Sequence, residues 1–445
     1  MDTFVIEGGK PLIGEVTVAG AKNVAVKALV ASLLTDEPLK LLNMPHIHDV
    51  HLLLELLSKM GIQHTWSDHE VTLTHKGVAS TTVPLDLGAR IRTSAMLLGP
   101  LLSRFGDAKI PNPGGCRIGA RPIDRHIDAL RAMGAQITYN SQDGYFYGKA
   151  DTLHGTHVTF PKNTHTGTET ILLAAVLAEG ETVIDNAAEE VEVDDLISLL
   201  TSMGANIKRP MPRQIVVTGV SSLHGCTYRI MPDRNEEVTF AIAAAITGGN
   251  ITVHDSNLLH LTTFLEFFTK AGGLASVISP TETRYSLATG TVGNTDVVTM
   301  PHPGFMTDWQ GPWAVFMTQA KGVSTIHETV FESRFSYVSE LHKMGAKIEY
   351  FTPKVKNPSA YYNFNWADKS VESQQAIRIT GKTELHNAVL SMNDLRAGAT
   401  LVLAALTAKG KSYVHGVEQM DRGYEHIVER LQKLGASISR VKEEE

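Results

Sequence analysis

The chain has 445 residues, of which 43% are hydrophobic and 20% charged, so it is long enough to form two or more globular domains. Its net charge of −7 argues against a general nucleic-acid-binding protein, and its two cysteines are too few for a disulfide framework. The N-terminus lacks the basic and then apolar layout of a secretory signal, and apolar runs such as 171–178 are too short to cross a bilayer. We therefore expect a cytoplasmic protein that neither enters a membrane nor binds nucleic acid.

A glycine that follows an apolar-periodic segment recurs along the whole chain. The six copies of this glycine are Gly61, Gly134, Gly204, Gly272, Gly345 and Gly435. A short β-like run often follows the glycine, and this order predicts a helix that ends at a glycine cap and then a strand. The unit is about 70 residues long, which favours two pseudo-symmetric domains of three copies each over one continuous solenoid.

A second repeated signature consists of an alanine-rich helix, a turn and a strand. It covers 172–184, 240–253 and 401–414. These helices carry apolar residues on all sides, so we expect them to be buried on every side. The alternation of helices and strands predicts an α/β fold.

The last interval between the repeated glycines is longer than the others by about 20 residues, judged against the repeat length. The surplus falls near 353–375, a polar segment dotted with aromatic residues such as Tyr361, Tyr362 and Trp366. We interpret it as an inserted surface loop.

Lys22 lies in the segment Ala19-Gly20-Ala21-Lys22-Asn23, between an early strand and a helix. A lysine at this junction is well placed to bind an anion, because the N-terminus of the helix adds exposed amides. The alternative is a solvated surface lysine.

Cys116 lies directly before Arg117 and five residues before Arg121 in the loop 111–122, which is rich in glycine and proline. Two nearby guanidinium groups supply donors for phosphate or carboxylate and favour ionisation of the thiol. The alternative is a turn that contains an incidental cysteine.

Several short segments pair acidic with basic residues near the ends of predicted elements. They lie at 232–237, 301–308, 331–335, 393–396 and 421–424. Singly, most would be ion pairs or helix caps, but arginines at equivalent edges of repeated units indicate a strongly basic cleft for a multiply charged anion. The sequence has no phosphate loop, dinucleotide fingerprint or zinc motif, so we expect neither nucleoside-triphosphate hydrolysis nor a metal.

With these motifs assembled, the chain resembles the UDP-N-acetylglucosamine 1-carboxyvinyltransferase family of enolpyruvyl transferases. The resemblance extends from Phe4 to Val441, and its most specific motifs are 20–23, 114–122, 301–308, 328–335 and 421–425. It implies two inside-out α/β domains, each of three repeats with buried helices and outer sheets, joined by a double hinge. It places residues 22–231, with the cysteine loop, in one domain and residues 1–21 and 232–445 in the other.

The resemblance also implies a reaction. In this family a carboxyvinyl group passes from phosphoenolpyruvate to the 3′-hydroxyl of UDP-N-acetylglucosamine by addition and elimination, and phosphate is released. This is the first committed step of peptidoglycan synthesis. The reaction implies the two substrates as partners, no cofactor and no partner protein.

Individual residues match the functional positions of the family. Lys22, Arg121 and Arg422 match the positions that hold the phosphate of phosphoenolpyruvate, and Arg334 and Arg396 match those around its carboxylate. The positions that match contacts with the sugar nucleotide are Asn23, Arg92, Arg121, Pro122, Ile123, Asp124, Arg125, Lys162, Asn163, Thr164, His165, Asp308 and Val330.

Two residues match the positions that move protons. Cys116 matches the residue that protonates the methylene carbon, can form a phospholactoyl adduct and is alkylated by the epoxide fosfomycin. Asp308 matches the proposed base for the attacking hydroxyl. The resemblance therefore implies that these two residues, with the cations Lys22 and Arg422, are the catalytic group.

Some residues depart from the family pattern. After Lys162, the glycine is displaced by one position, so that we expect Thr166 to crowd the nucleotide contact, while Arg117 and Arg125 replace small or apolar residues. Two alternatives remain: the related shikimate-pathway enolpyruvyl transferase, and a catalytically silent paralogue that binds the nucleotide and regulates a partner. The Cys116 loop and the lysine motif near Lys162 argue against the first, and the joint presence of Lys22, Cys116, Asp308 and Arg422 argues against the second.

Overall fold

The computed structural model describes residues 2–115, 118–119 and 121–442. These residues divide into two compact units, each with its own hydrophobic core. We call residues 20–115 and 122–231 the N-terminal unit, and residues 2–19, 118–119, 121 and 232–442 the C-terminal unit. The division follows contacts within the chain, and the domain boundaries inferred from the sequence stay a prediction.

The strands of the described residues alternate with helices, and this confirms the predicted α/β class. In chain order the strands are β1 (Asp2–Glu7), β2 (Ile13–Thr17), β3 (Leu39–Leu42), β4 (Gln63–Ser67), β5 (Glu70–Thr74), β6 (Asp107–Pro111), β7 (Gln136–Asn140), β8 (Tyr145–Lys149), β9 (His157–Thr159), β10 (Glu181–Asp185), β11 (Asn206–Met211), β12 (Gln214–Thr218), β13 (Thr227–Arg229), β14 (Asn250–His254), β15 (Gly273–Ser279), β16 (Glu282–Leu287), β17 (Val292–Gly293), β18 (Val297–Val298), β19 (Ala320–His327), β20 (Lys347–Tyr350), β21 (Ala376–Gly381), β22 (Val389–Ser391), β23 (Lys411–His415) and β24 (Ser437–Lys442).

The α-helices range from single turns to thirteen residues. In chain order they are α1 (Lys22–Ala31), α2 (His48–Lys59), α3 (Leu85–Gly88), α4 (Leu98–Phe105), α5 (Asp124–Ala132), α6 (His165–Ala175), α7 (Val191–Ser202), α8 (Arg234–Ile246), α9 (Thr262–Lys270), α10 (Gln310–Thr318), α11 (Val338–Lys343), α12 (Pro358–Tyr361), α13 (Leu395–Thr407), α14 (Glu418–Asp421) and α15 (Ile427–Lys433). Short 3₁₀ helices cover Ser32–Leu34, Arg92–Leu97, Leu258–Leu261, Thr307–Trp309 and Trp366–Asp368.

The described part of the N-terminal unit contains three sheets. Their strand orders are β13-β3-β5-β4, β6-β8-β7 and β11-β12-β10-β9. Strand β13 runs parallel to β3, and β9 runs parallel to β10, while the other neighbours are antiparallel. Each sheet is built by the same order of elements: a buried helix, a strand, a second helix and a hairpin.

The described part of the C-terminal unit also contains three sheets, with orders β22-β23-β1-β24, β15-β16-β14-β2 and β17-β19-β21-β20. Strand β18 pairs with β19 beside the last of these. The N-terminal strand β1 lies between β23 and β24 and is antiparallel to both, and β2 runs parallel to β14. The two ends of the chain therefore complete sheets of the same unit.

The alanine-rich helices are buried, as their sequences predict. Every residue of α13 from Leu395 to Leu406 is buried, as is every residue of α8 from Arg234 to Ala245. In α6, burial extends from Gly167 to the end of the helix. The helices that follow each first strand are amphipathic instead, as in α2, where Leu53 and Leu57 are buried and Glu55 and Lys59 are exposed. This confirms buried helices with sheets on the outside of each unit.

The repeated glycines end helices as predicted. All six adopt a positive φ between 85° and 103°, a conformation that disfavours side chains with a Cβ. The chain can therefore turn out of each helix and start the following strand.

The segment at 353–375 is partly ordered against its unit. Tyr362 and Phe364 are only 2% and 6% exposed, and the ring of Tyr362 stacks on that of Trp366 at a centroid distance of 4.6 Å. The Tyr362 hydroxyl lies 3.0 Å from Nε2 of His327 at the end of β19. The segment thus contributes buried aromatic surface as well as exposed loop, and its interpretation as an insertion stays a prediction.

Among the described residues, the structure has no helix of the length and apolar character that a membrane span requires.

Candidate functional site

Lys22 is the first residue of α1, where the predicted lysine motif meets the helix. Its Nζ lies 2.8 Å from Oδ2 of Asp49, a residue in the first turn of α2. A Cβ on Gly20 would lie 1.8 Å from the carbonyl oxygen of Asn43, so only glycine fits two residues before the lysine. The close approach of these segments holds Lys22 at the N-terminus of its helix. No local sequence pattern marks Asp49, because the ion pair joins two different helices.

The N-terminus of α6 carries the residues that replace the family's pattern after Lys162. The Thr164 side chain caps the helix by accepting a hydrogen bond from the backbone N–H of Gly167 at 3.2 Å. A Cβ on Gly167 would lie 2.4 Å from Cγ2 of Thr164, so the displaced glycine allows this cap to form. The Thr166 hydroxyl lies 2.9 Å from Nε2 of His126 on α5. The structure thus gives Thr166 a partner within the unit, and whether it crowds the nucleotide stays a prediction.

Two segments predicted to contact the nucleotide lie side by side. Arg125 donates from Nη1 to the carbonyl oxygen of Asn163 at 3.4 Å, which joins the first turn of α5 to the turn before α6. Burial lowers the pKa of Lys162, and the positive charge of Arg125 lowers it further. Arg92 donates to the carbonyl oxygen of Pro122 at 3.4 Å.

The remaining predicted nucleotide contacts of the N-terminal unit border these groups in the chain. Ile123 and Asp124 open α5, and Asn23 follows Lys22 in α1. The structure therefore brings together Arg92 with Pro122, and Arg125 with the turn that contains Lys162 and Asn163.

A buried charged cluster lies beneath the start of α6. Oε1 of Glu169 lies 3.0 Å from Nζ of Lys27 and 3.1 Å from Nε2 of His165. His165 was predicted as a nucleotide contact, whereas Lys27 and Glu169 were missed. Each looks like a charged interruption of an apolar helix, and only their contact across α1 and α6 shows that they form a unit.

In the C-terminal unit, Asp308 lies between two of the predicted arginines. Its Oδ1 accepts a hydrogen bond from Nη2 of Arg334 at 2.5 Å, and its Oδ2 lies 3.4 Å from Nε of Arg396. Two guanidinium groups stabilise the negative charge of this carboxylate. Three residues predicted to act on the substrates are therefore in contact within one unit.

Arg334 is fixed from several sides. Its Nε donates to Oγ1 of Thr307 at 3.2 Å, and its Nη1 lies 3.7 Å from Oδ1 of Asp394. Asp394 also caps α13, because its side chain accepts hydrogen bonds from the backbone N–H groups of Arg396 and Ala397 at 3.0 Å. Asp394 was not predicted as a site residue, although the sequence had marked the acid–base pair at 393–396.

Arg396 also contacts the segment that contains Arg422. Nη1 of Arg396 donates to the Tyr424 hydroxyl at 3.1 Å, and that hydroxyl lies 2.8 Å from Oγ1 of Thr239. Burial raises the pKa of Tyr424, so its hydroxyl stays protonated at neutral pH. Arg422 lies two residues before this tyrosine, directly after α14.

The end of the glycine-rich loop packs within the C-terminal unit. A Cβ on Gly119 would lie 1.8 Å from Oε2 of Glu332, and the backbone N–H of Ser333 donates to the carbonyl oxygen of Ile118 at 3.2 Å. The Arg121 guanidinium lies 5.6 Å from the centroid of the Phe331 ring, and Arg334 lies 5.8 Å from the same ring.

Val330 lies in a turn directly before Phe331. The backbone N–H groups of Val330 and Phe331 both donate to Oε1 of Glu328, at 2.7 and 3.0 Å. The predicted catalytic residue Cys116 lies outside the described residues, as does Arg117, which departs from the family pattern.

Comparison with known proteins gives the family. Residues 6–431 match the family model for EPSP synthase (3-phosphoshikimate 1-carboxyvinyltransferase). The chain is 42% identical to the UDP-N-acetylglucosamine 1-carboxyvinyltransferase of Koribacter versatilis, over 100% of the chain and 97% of that relative. It is also 42% identical to the protein of the same name from Acidobacterium capsulatum, over 99% of the chain and 96% of the relative.

Solved structures support the fold alone, because their sequences are distant. The enolpyruvyl transferase NikO from Streptomyces tendae has a TM-score of 0.85 at 24% identity, covering 100% of this chain and 99% of its own. EPSP synthase from Acinetobacter baumannii has a TM-score of 0.75 at 19% identity, covering 99% of this chain and 100% of its own. From its full-length sequence identity, the chain belongs to the UDP-N-acetylglucosamine 1-carboxyvinyltransferase family of enolpyruvyl transferases.

Proposed function

We propose that this chain transfers the carboxyvinyl group of phosphoenolpyruvate to the 3′-hydroxyl of UDP-N-acetylglucosamine and releases phosphate. The observation that carries the proposal is the 42% identity, over the full length, to relatives that bear the name of this activity. We propose that the product serves peptidoglycan synthesis and that the reaction takes place in the cytoplasm.

Addition requires a base for the attacking oxygen and an acid for the receiving carbon. Asp308 takes the proton of the 3′-hydroxyl while the oxygen bonds to C2 of phosphoenolpyruvate, and Cys116 gives a proton to C3. In the elimination, the Cys116 thiolate takes a proton back from C3, the bond from C2 to the phosphate oxygen breaks, and the double bond re-forms, while the proton held by Asp308 passes to the departing phosphate. Phosphate leaves with the electron pair of that bond, so no redox partner is needed.

Five cationic side chains bind phosphoenolpyruvate, which carries three negative charges. Lys22, Arg121 and Arg422 bind its phosphate, and Arg334 and Arg396 bind its carboxylate through charge-assisted hydrogen bonds. The contacts of Asp308 with these last two arginines support the assignment, because they are donors already directed to a carboxylate. A substrate carboxylate that shares these donors withdraws part of the stabilisation of Asp308 and makes it a stronger base.

The sugar nucleotide binds through the residues around the start of α6, where helix amides favour phosphate. The groups proposed to contact it are Asn23, Arg92, Arg121, Pro122, Ile123, Asp124, Arg125, Lys162, Asn163, Thr164, His165, Asp308 and Val330. The positive charge of Arg125 acts on Lys162, and two cations this near to each other support a site for an anion.

Phosphate release from phosphoenolpyruvate tests the function directly. The native chain is expected to release phosphate with UDP-N-acetylglucosamine as acceptor and not with shikimate 3-phosphate, and mass spectrometry should find the carboxyvinyl ether of the sugar nucleotide. Release with shikimate 3-phosphate alone would assign the chain to the related activity. No release with either acceptor would favour a catalytically silent nucleotide-binding protein.

The role of Cys116 has its own test, since what the addition requires is an acid of suitable reach. We expect Cys116→Asp to keep measurable transfer, while Cys116→Ala and Cys116→Ser lose nearly all of it. Fosfomycin is expected to inactivate the native chain in the presence of the sugar nucleotide and to leave Cys116→Asp active, because a carboxylic acid is a much poorer nucleophile than a thiolate. Undiminished turnover of Cys116→Ala would remove the thiol from the mechanism.

A further inference from the structure

The three side chains of the cluster of Lys27, Glu169 and His165 differ in how much of each is exposed to solvent. The side chain of Glu169 is 0% exposed and that of Lys27 is 5% exposed, whereas 25% of the His165 side chain is exposed. His165 is the first residue of α6, a helix of 11 residues with no acidic side chain in its first turn. A ligand at this helix end can therefore reach His165 but not the two charges behind it.

Two buried carboxylates favour a proton on His165. Glu169 and Glu190 are both buried, and Oε2 of each is buried without a hydrogen-bond donor in the described part of the chain. Buried ionised groups are costly unless an opposite charge lies nearby. Lys27 pairs with Glu169, and an imidazolium at His165 adds a positive charge that attracts both Glu169 and Glu190.

The contact with Glu169 agrees with that charge, because Nε2 of His165 lies 3.1 Å from Oε1 of Glu169. Nζ of Lys27 lies 3.4 Å from the same Nε2 and opposes the charge, but its own ion pair with Glu169 at 3.0 Å gives it a separate partner. In an imidazolium both ring nitrogens carry a proton. Nε2–H then donates to the carboxylate of Glu169, and Nδ1–H is a second donor on the other side of the ring.

We propose that His165, held as an imidazolium by Glu169 with Lys27 behind it, binds the diphosphate of the sugar nucleotide and makes nucleotide affinity fall as the pH rises. Lys27 and Glu169 are positioning residues in this inference, since they act through His165. The inference rests on the proposed function for the identity of the ligand.

The titration of His165 supports this inference. Burial lowers the pKa of His165, but the negative charge and hydrogen bond of Glu169 and the negative charge of Glu190 raise it against the effect of Lys27, and the result is a pKa above the ordinary value of 6.5. Such a group carries its charge below the raised pKa and loses it as the pH rises through that value.

Other charged groups contact the same end of α6. From α5, Arg125 donates to the carbonyl oxygen of Asn163, and Nε2 of His126 lies 2.9 Å from Oγ1 of Thr166. Lys162 precedes the helix, and its pKa is also lowered by burial and by Arg125. A test must therefore separate His165 from these neighbours by substitution.

Equilibrium binding of UDP-N-acetylglucosamine without phosphoenolpyruvate is the measurement, made by calorimetry from about pH 6 to about pH 9. The nucleotide's diphosphate does not titrate in this range, and the non-titrating variants at position 165 separate the titration of His165 from that of the uracil ring near the upper end. For the native chain we expect Kd to rise about tenfold across the range, in keeping with the loss of one charge-assisted hydrogen bond.

Two substitutions at the same position separate charge from shape. His165→Gln is expected to bind about tenfold more weakly than the native chain at low pH and to show no dependence on pH. His165→Arg keeps a cation that does not titrate in this range, so its Kd should stay near the native low-pH value throughout. In Glu169→Gln the imidazolium loses its counter-charge, and the inflection should move to lower pH.

His157→Gln is the matched control. His157 lies on β9 in the same unit and pairs with Asp185 at 2.5 Å, and its side chain is 62% exposed. This variant should keep the native Kd and its pH profile.

A native Kd that does not change with pH would overturn the inference, as would His165→Gln with an unchanged pH profile. If the native chain binds no UDP-N-acetylglucosamine at any pH, both this inference and the proposed function fail. Binding with a flat profile overturns the inference alone, because phosphate release measures the proposed function separately.

Discussion

At the candidate site of the N-terminal unit, the carboxylates Glu169 and Asp49 are less exposed than their partners His165 and Lys22, whereas in the C-terminal unit Arg334 is less exposed than its partner Asp308. Glu169 is 0% exposed while its partner His165 is 25% exposed. Arg334 is 5% exposed, and Asp308, its partner, is 23% exposed. Lys22 repeats the first arrangement, since it is 12% exposed and Asp49 is 6% exposed.

This difference separates two tasks of the proposed reaction. A cation that is paired with a more buried carboxylate suits the binding of a phosphate group, because the ion pair fixes the position of the positive charge. A surface carboxylate backed by buried arginines suits proton transfer, because changes in the arginine contacts alter its basicity. We therefore expect ion pairs to serve different roles according to which partner is the more exposed.

The largest effect is expected at Asp308. Asp308→Asn keeps the size of the side chain and an oxygen for Arg334 but removes the base, so kcat should fall about 10²- to 10⁴-fold. Phosphate release in single turnover measures the change. Asp296→Asn is a control, since Asp296 accepts hydrogen bonds from the backbone and hydroxyl of Thr325 in the same unit. If Asp308→Asn kept native turnover, the carboxylate of the C-terminal unit would not be the base.

The buried pair beneath His165 is expected to matter most for stability. Lys27→Met leaves Glu169 without its ammonium partner, and the free energy of unfolding should fall by about 3–5 kcal/mol. Urea denaturation measures it. The double variant Lys27→Met/Glu169→Met should be less destabilised than the single variant, because it removes both charges. Equal or greater loss in the double variant would mean that shape rather than charge determines the effect.

Sequence patterns predicted local structure well and missed contacts between distant segments. The glycines from Gly61 to Gly435 and the apolar helices were readable because a helix cap and a buried helix each leave a signature within a few residues. Strand β1 joins β23 and β24 across the whole length of the chain, and only the resemblance to a family indicated that.

The candidate site shows the same limit. Arg334, Arg396 and Asp308 were predicted from matched motifs, and the structure shows them in contact. Glu169 and Asp49 were not, since their partners lie on other helices and a single buried carboxylate has no local pattern. Only the packed structure shows which cations form ion pairs with buried carboxylates of neighbouring helices.

Arg422 tests the assignment of the phosphate of phosphoenolpyruvate. Loss of a charge-assisted hydrogen bond in Arg422→Ala should weaken phosphoenolpyruvate binding by about 1.5–3 kcal/mol and leave the nucleotide Kd nearly unchanged. Titration of each substrate separately, with the other saturating, measures the two effects. Weaker binding of the nucleotide alone would show that the assignment of this arginine is wrong.

The smallest effect is expected at Asp195 of α7, a partly buried carboxylate held by hydrogen bonds from the Tyr228 hydroxyl and the backbone N–H of Met231. Burial raises the pKa of Asp195 to about 6. The native carboxyl therefore binds its proton more tightly than the unfolded one, and it costs stability increasingly as the pH rises from about 4 to about 6.

Asp195→Asn is therefore expected to raise the free energy of unfolding by about 1 kcal/mol at neutral pH and not at all near pH 4, as measured by urea denaturation at both pH values. A gain of the same size at both pH values would mean that ionisation is not the cause. A loss at neutral pH would mean that the hydrogen bonds to the carboxylate outweigh its desolvation.

The division of tasks between surface cations and buried arginines is tested most directly by the KM of each substrate in two variants. His165→Gln should raise the KM of UDP-N-acetylglucosamine about tenfold at low pH and leave that of phosphoenolpyruvate unchanged, whereas Arg396→Lys should raise the KM of phosphoenolpyruvate and not that of the nucleotide. Equal changes in both constants, or the reverse assignment, would contradict the account.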